Sequence, residues 1–423
     1  MAGPSLMRLK AGDSLAPMAF APPGAAVPPR VEPVHDFESK LRQPGLLPAV
    51  AAYVAWQRAA REARRRGEEP PEMPPQSPLS VNLDLTTACN YACDHCIDWE
   101  ILNSGARHDD ASLRASLAEM ASRGLRSVIL IGGGEPTIYP GFVPFVRFLK
   151  GLGLQVAVVS NGSRNDRLLD VVDCLDAQDW IRLSLDSGTD ATFQAMHRPK
   201  RPISLQAICA GIRPLKARNP LPRVGFSYII VWDGAEREPG APVVDNVDEI
   251  PLAARLAREA GFDYVSFKPF LARADGGAEI MDPARGTAGL DGVVARIRAR
   301  VTEAKAEATP SFRVVESTNL RVLTAGTWRD WTRQPKTCHM QALRQVLTPL
   351  GLYNCPAHRG AEKAKIAGKD AYAGPERARE TAKATAAILE RFDASHECRE
   401  VTCLYNDANH AIERAVEGAG GFA

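Results

Sequence analysis

What the chain lacks narrows it first. No apolar run approaches the roughly 18 residues that a membrane-spanning helix needs. The apolar patch from Leu15 to Val27 is broken by prolines and is no signal-peptide core. Neither sign of charge dominates: 52 Lys and Arg face 50 Asp and Glu, a formal net charge of +2. That balance gives no reason to expect nucleic acid or a membrane surface as partner. No acid–base pair or activated nucleophile stands out, so no catalytic side chain is assigned. A cytoplasmic, reducing location is expected, where clustered cysteines bind metal more often than they pair. What is there is ordinary bulk: 423 residues, 45% hydrophobic and 24% charged, with room for a large core and more than one domain.

Against that background the nine cysteines matter. Cys89, Cys93 and Cys96 stand in C-x3-C-x2-C spacing. Before them Val81, Leu83 and Leu85 alternate with Asn82, Asp84 and Thr86, which is strand period. The thiols therefore sit on the loop past the C-terminal end of a strand, where α/β folds place their chemistry. Three thiolates this close cannot all form disulfides, and soft sulfur ligands favour zinc or an iron–sulfur cluster. A cubic cluster with three ligands keeps one iron open. Zinc needs a fourth ligand, and His95 lies in the loop, so spacing alone leaves both readings standing.

The rest of the chain supplies the setting. Residues 1–33, rich in Pro, Ala and Gly, read as disordered. Leu46 to Arg66 reads as a helix with a basic end, Arg61 to Arg66. It is either a contact for a peptide or nucleic acid or, preferably, a helix packed on the next domain with a solvated tip. A stiff proline-rich linker follows to Pro78. Strands are then expected at 81–85, 127–131, 155–160, 181–185, 224–231 and 264–267, separated by helices. This predicts an α/β fold with a parallel sheet and right-handed crossovers. Periodicity equally allows a partial barrel and an open doubly wound sheet. Cys174 and Cys209 fall among apolar helical residues and read as core thiols.

The cysteine loop resembles the cluster-binding loop of the radical S-adenosylmethionine superfamily, with His95 where an aromatic ring usually stands. Other stretches resemble the same family in order: Gly132-Gly133-Gly134-Glu135-Pro136, Ser160-Asn161-Gly162, Ser184-Leu185-Asp186, HRPKRP from His197, and Asn246 to Ile250. The resemblance implies a partial (β/α)6 barrel, a [4Fe–4S] cluster on Cys89, Cys93 and Cys96, and S-adenosylmethionine on its open iron. It places Gly133, Gly134 and Glu135 at the methionine amino group, with Ser160 and Asn161 closing the third strand. Ser184 and Asp186 would face the ribose and carboxylate. Arg198, followed here by proline where the family has glycine, would meet the carboxylate, and His95 would line the cofactor.

After a helix near Gly289 to Ala308 come Cys338, Cys355, Cys398 and Cys403. Residues 344–349 and 352–355 read as a hairpin turning at Leu350-Gly351. C-x12-G-x3-C, followed by C-x4-C, resembles the SPASM/Twitch extension of the superfamily. Full SPASM domains have seven cysteines, so four imply the Twitch form with one auxiliary [4Fe–4S] cluster. A four-cysteine zinc site is the alternative. The expected domains are 1–78, 79–310 and 311–423. The resemblance implies an oxidoreductase-type enzyme that removes a hydrogen atom from a peptide or small metabolite and completes a two-electron oxidation or bond formation. Flavodoxin or ferredoxin would donate the electron. The alternatives are a redox-neutral epimerase or rearrangement enzyme, with Cys209 or Cys174 as hydrogen donor, and a non-catalytic iron–sulfur or zinc protein. No winged-helix, leader-binding pattern precedes the strands.

Overall fold

One ten-stranded sheet runs through the computed structural model, which describes residues 37–419 except 275, 282 and 284–288. The stretch expected to be disordered, 1–33, lies outside the described residues. In chain order come helix α1 (Leu47–Arg65), β1 (Ser80–Leu83), α2 (Asp110–Ser122), β2 (Ser127–Leu130), α3 (Phe142–Gly151), β3 (Gln155–Ser160), β4 (Trp180–Ser184), α4 (Asp190–His197), β5 (Arg223–Ile230), α5 (Ile250–Ala260), β6 (Tyr264–Pro269), α6 (Leu290–Lys305) and β7 (Arg313–Glu316). The C-terminal part adds β8 (Arg344–Thr348), β9 (Gly351–Tyr353), β10 (Lys365–Ala367), α7 (Pro375–Arg391) and α8 (Asn406–Val416). Strand order is β10-β9-β8-β1-β2-β3-β4-β5-β6-β7, and every pair from β8 to β7 is parallel.

Local sequence explains the punctuation. Asp109 caps α2 by accepting from Ser112 N–H, and Thr189 caps α4 through Thr192 N–H. Gly261, at φ +94°, stops α5 in the left-handed conformation that glycine adopts freely.

The two faces of β1–β6 differ. One carries Val81, Leu83, Val128, Leu130, Val156, Val158, Ile181, Leu183, Val224, Phe226, Val265 and Phe267, all fully buried in the main core. The alternate residues include Asn82, Arg182, Ser184, Ser227, Ser266 and Lys268. A doubly wound sheet has helices on both faces and reads as near-continuous apolar runs. A polar second face is instead the inner wall of a partial barrel, and this decides between the two folds that periodicity left open.

Three features depart from the sequence reading. The hairpin pairs Thr348 with Gly351, so its turn is Pro349-Leu350 rather than Leu350-Gly351. The parallel sheet continues past residue 310 into β7, and β8 joins it beside β1. Finally, α1 packs on the C-terminal helices, and much of its basic end is engaged there. Arg61 forms a two-pronged pair with Glu413 at 2.8 Å and 2.8 Å, Arg58 donates to Ala415 O, and Arg64 pairs with Glu390. Tyr53, on the same helix, hydrogen-bonds His339 Nδ1 at 2.9 Å. These contacts close a second core around Val50, Val346, Ile388 and Ile412. Among the described residues no helix is long and apolar enough to cross a membrane.

Candidate cofactor site

The loop after β1 has no regular structure of its own, so other segments shape it. Ala92 N–H donates to His197 O and Asp94 N–H to Met196 O, at the last turn of α4. Lys200 Nζ donates to Cys89 O at 2.9 Å, and Cys89 N–H to Asn103 Oδ1. Arg198 ends α4 in a left-handed conformation, φ +44°. Its side chain stays largely exposed, 4.0 Å from Asp94, while His197 turns inward.

Cys89, Cys93 and Cys96 are free and half-buried. Burial pushes the Cys93 thiol well above its usual range, and the neighbouring Cys96 and Cys89 push it further. Cys96 is raised to about 12 by burial and then by Asp98; Cys89 is raised by burial. Three thiols that resist ionisation together are relieved by a bound cationic centre.

The two histidines beside them differ in what they leave free. His95 contacts Asp94 Oδ1 through Nδ1 (3.0 Å) and Asp186 Oδ2 through Nε2 (3.1 Å). Burial lowers its pKa, but the carboxylates of Asp186 and Asp94 outweigh that and raise it to about 9. His95 is therefore an imidazolium, donating from both nitrogens, with no lone pair for a metal. His197 stands with Nδ1 3.3 Å from Cys93 Sγ and Nε2 3.0 Å from Leu185 O. The ligand atoms of Cys93, His95 and His197 lie within 4.8 Å of one another; His95 has no lone pair to offer, whereas His197, donating Nε2–H to Leu185 O, keeps an Nδ1 lone pair facing Cys93 Sγ. The three thiols with an open fourth position fit a cubic cluster.

Asp186, expected to face the cofactor, is buried beneath the loop. It takes Ile229 N–H on Oδ1 and His95 on Oδ2. Glu135 is likewise spent. Its carboxylate accepts from Thr137 N–H, Thr137 Oγ1, Ser160 Oγ and Asn161 N–H, all at 2.9 Å or less, tying the end of β2 to that of β3. Asn161 Nδ2 also donates to Asn90 Oδ1 in the cysteine loop. Ser184 ends β4 on the inner wall.

The glycine turn is enclosed on three sides. A Cβ on Gly134 would lie 2.2 Å from Ala88 O, on Gly133 3.0 Å from the Asp84 carboxylate, and on Gly132 2.3 Å from Arg359 Nη1. Gly133 N–H donates to Asp98 Oδ2 (3.2 Å), which also takes Arg359 Nη1 at 2.6 Å, and Arg273 approaches Asp98 Oδ1 at 3.5 Å. Asp84 is wholly buried, 3.4 Å from Arg359 Nε. Burial outweighs that guanidinium and lifts its pKa to about 8. Sequence reading missed Asp84, Asp98, His197, Arg273 and Arg359. A carboxylate on a buried strand was the one available signal; Arg359 had none.

The second set of cysteines meets as well. Cys338, Cys355, Cys398 and Cys403 line one pocket with Phe392 and Tyr405. Asn409 Nδ2 donates to Cys338 Sγ and Tyr405 N–H to Cys403 Sγ, both at 3.4 Å, and His358 Nε2 lies 3.3 Å from Cys398 Sγ. Cys174 and Cys209 sit apart, Cys174 bonded to Val171 O and Cys209 in the main core.

Residues 83–234 match the Radical SAM superfamily. No curated protein sequence matches the chain. Among solved structures, Streptococcus suis SuiB is similar at 13% identity and a TM-score of 0.50, covering 69% of this chain and 63% of that one. SuiB bound to precursor peptide SuiA gives 12%, 0.50, 73% and 64%. Native anSMEcpe with bound AdoMet and Cp18Cys peptide gives 11%, 0.50, 81% and 99%. The chain thus spans a little under two thirds of the length of SuiB, and at these identities the likeness is one of fold. The family match covers the cysteine loop, the glycine turn and strands β2 to β5, so this stretch of the chain is a radical SAM domain, the kind whose cofactors are a [4Fe–4S] cluster and S-adenosylmethionine.

Proposed function

We propose that this enzyme oxidises a peptide side chain or small metabolite by two electrons, by dehydrogenation or bond formation at the carbon that loses hydrogen. In this reading Cys89, Cys93 and Cys96 hold the first cluster. Gly133, Gly134, Ser184 and Arg198 surround S-adenosylmethionine, while His95, Asp186, Glu135, Ser160 and Asn161 hold the loop and strand ends in place. Bound there, the cofactor pair supplies a 5′-deoxyadenosyl radical, by one-electron cleavage of the sulfonium C–S bond, to remove a substrate hydrogen atom. The inner wall orients the substrate and keeps water out. Residues 1–78, 79–310 and 311–423 serve as extension, barrel and auxiliary module, and a flavodoxin or ferredoxin donates the electron.

The observation that carries the oxidative reading is the closed set of four thiols around one pocket. Four cysteines leave no open position for substrate on a cubic cluster, so such a group serves as an electron acceptor rather than a ligand site. SuiB and anSMEcpe have been seen with peptides, which favours a peptide here. The burial of Cys209 in the main core gives the redox-neutral alternative no thiol on the inner wall.

Anaerobically reconstituted protein should carry about eight irons, and Cys398→Ala about four. With dithionite it should form 5′-deoxyadenosine, and Cys93→Ala should not. Stoichiometric zinc at the second site would remove the auxiliary cluster. With the true substrate, the product should be two hydrogens lighter. A product of unchanged mass that gains one deuterium from D2O would overturn the oxidative assignment.

A further inference from the structure

The inner wall carries two cations that the cofactor site does not use. Register fixes their setting. Arg182 on β4 stands opposite Gly225 on β5, which stands opposite Tyr264 on β6. One step toward the strand ends, Ser184, Ser227 and Ser266 fall in line, and one step further Ile229 faces Lys268. Three adjacent strands thus present only hydroxymethyl groups at one level. The side chains there are short, with Arg182 one step before that level and Lys268 one step beyond it.

Neither cation is neutralised. Arg182 stacks on the Trp180 ring (5.3 Å), and its Nε is buried without a hydrogen bond. Lys268 Nζ has one partner among the described residues, Ser227 Oγ at 3.1 Å. The acid whose charge reaches both, Asp186, is engaged by His95 and Ile229. Burial, and then the charge of Arg182, hold the Lys268 ammonium well below its usual range. Burial thus favours the neutral amine at Lys268 and leaves Arg182 with little compensation. An oxyanion between them would restore the ammonium and pair both groups, with the serine hydroxyls as further donors.

We propose that Arg182, Lys268 and the pair Ser227–Ser266 form a subsite for an anionic group of the substrate, a carboxylate or a phosphate, inside the barrel. This rests on the reading above that the inner wall receives substrate.

The test uses the full cluster-loaded chain, melted at constant ionic strength in chloride, acetate or inorganic phosphate. The melting temperature should rise saturably in acetate or phosphate over chloride. Acetate acting alone marks a carboxylate and phosphate acting alone a phosphoryl group. Arg182→Met and Lys268→Met should each lose at least half of that rise. In chloride, Lys268→Met should melt no lower than the parent, since a poorly solvated amine with one hydrogen-bond partner has gone. No anion-specific rise in the parent, an undiminished rise in both variants, or a lower melting temperature for Lys268→Met in chloride would overturn the proposal. Equilibrium dialysis of S-adenosylmethionine separates the remaining source. Affinity within about twofold of the parent in Lys268→Met fits a substrate subsite, and a tenfold loss would assign the cations to the cofactor's carboxylate and overturn it. Iron content and cofactor cleavage by the parent report separately on the enzyme reading.

Discussion

The guanidinium of Arg359 lies where a side chain on Gly132 would have to stand, with Nη1 2.3 Å from the position of its Cβ. Arg359 is four residues past Cys355 and Gly132 opens the glycine turn, so one side chain of the C-terminal part fixes the backbone at the end of β2. Gly132 also has φ +84°. Gly132→Ala therefore combines a left-handed residue, at about 1 kcal/mol, with a displaced ion pair, for a total of ~2–4 kcal/mol. Arg359→Ala, which leaves Asp98 without its buried partner, should cost ~3–5 kcal/mol. Because the two changes disrupt one contact, the double variant should lose less than the sum. Urea midpoints of the three variants check this; strict additivity would dissolve the link.

Asp84 predicts a pH dependence. Its native pKa of about 8 lies above the ordinary value of 3.8, so between those values the folded chain keeps a proton that the unfolded chain releases. Stability should fall as pH rises through that window, by up to ~1.4 kcal/mol per unit, and level off above pH 8. Asp84→Asn should remove that contribution. Urea titrations of both proteins from pH 6 to 9 should draw together toward the acid end, and parallel curves would show that Asp84 is ionised throughout.

Glu135 should act on the fold before it acts on the cofactor. Four donors converge on its carboxylate. Glu135→Gln keeps the shape but sets an amide N–H against some of them, at a cost of ~1–3 kcal/mol. Melting should drop while S-adenosylmethionine affinity in the folded protein changes little. A tenfold loss of affinity at an unchanged melting temperature would put this carboxylate on the cofactor.

Arg61 anchors α1. Cutting its two-pronged pair with Glu413, which is partly solvent-screened, should cost about 1 kcal/mol. The local effect should be larger than the global one. Arg61→Ala should speed proteolysis in the linker at 67–78, and an unchanged cleavage rate would mean that Tyr53 and the apolar face hold the helix alone.

The strands and both cysteine sets were legible because alternation and spacing are local. Val81, Leu83 and Leu85 announced β1, and C-x3-C-x2-C its loop. The supporting cast was not. Glu135 and Asp186 stand in recognisable motifs, yet their partners come from β3, the cysteine loop and β5, which only the tertiary fold brings together. Arg198 drew attention as the cation after a helix, while its neighbour His197 is the residue that turns inward, a choice made by one left-handed backbone angle. The basic end of α1 was read as solvated because its acids, Glu390 and Glu413, lie at the far end of the chain.

That β8 lies beside β1 has a consequence for how the protein is made. On the ribosome, β1 emerges early and gains β2, but its other edge, where Asp84 N–H meets Leu347 O, stays open until nearly the whole chain has appeared. Such long-range parallel pairing forms slowly and leaves an exposed edge meanwhile. The first cysteine loop hangs from that unfinished strand, and Arg359 arrives later still. The wall beside the first site is thus completed only by residues from the last fifth of the given sequence, and a fragment ending at residue 310 should aggregate rather than behave as a smaller enzyme.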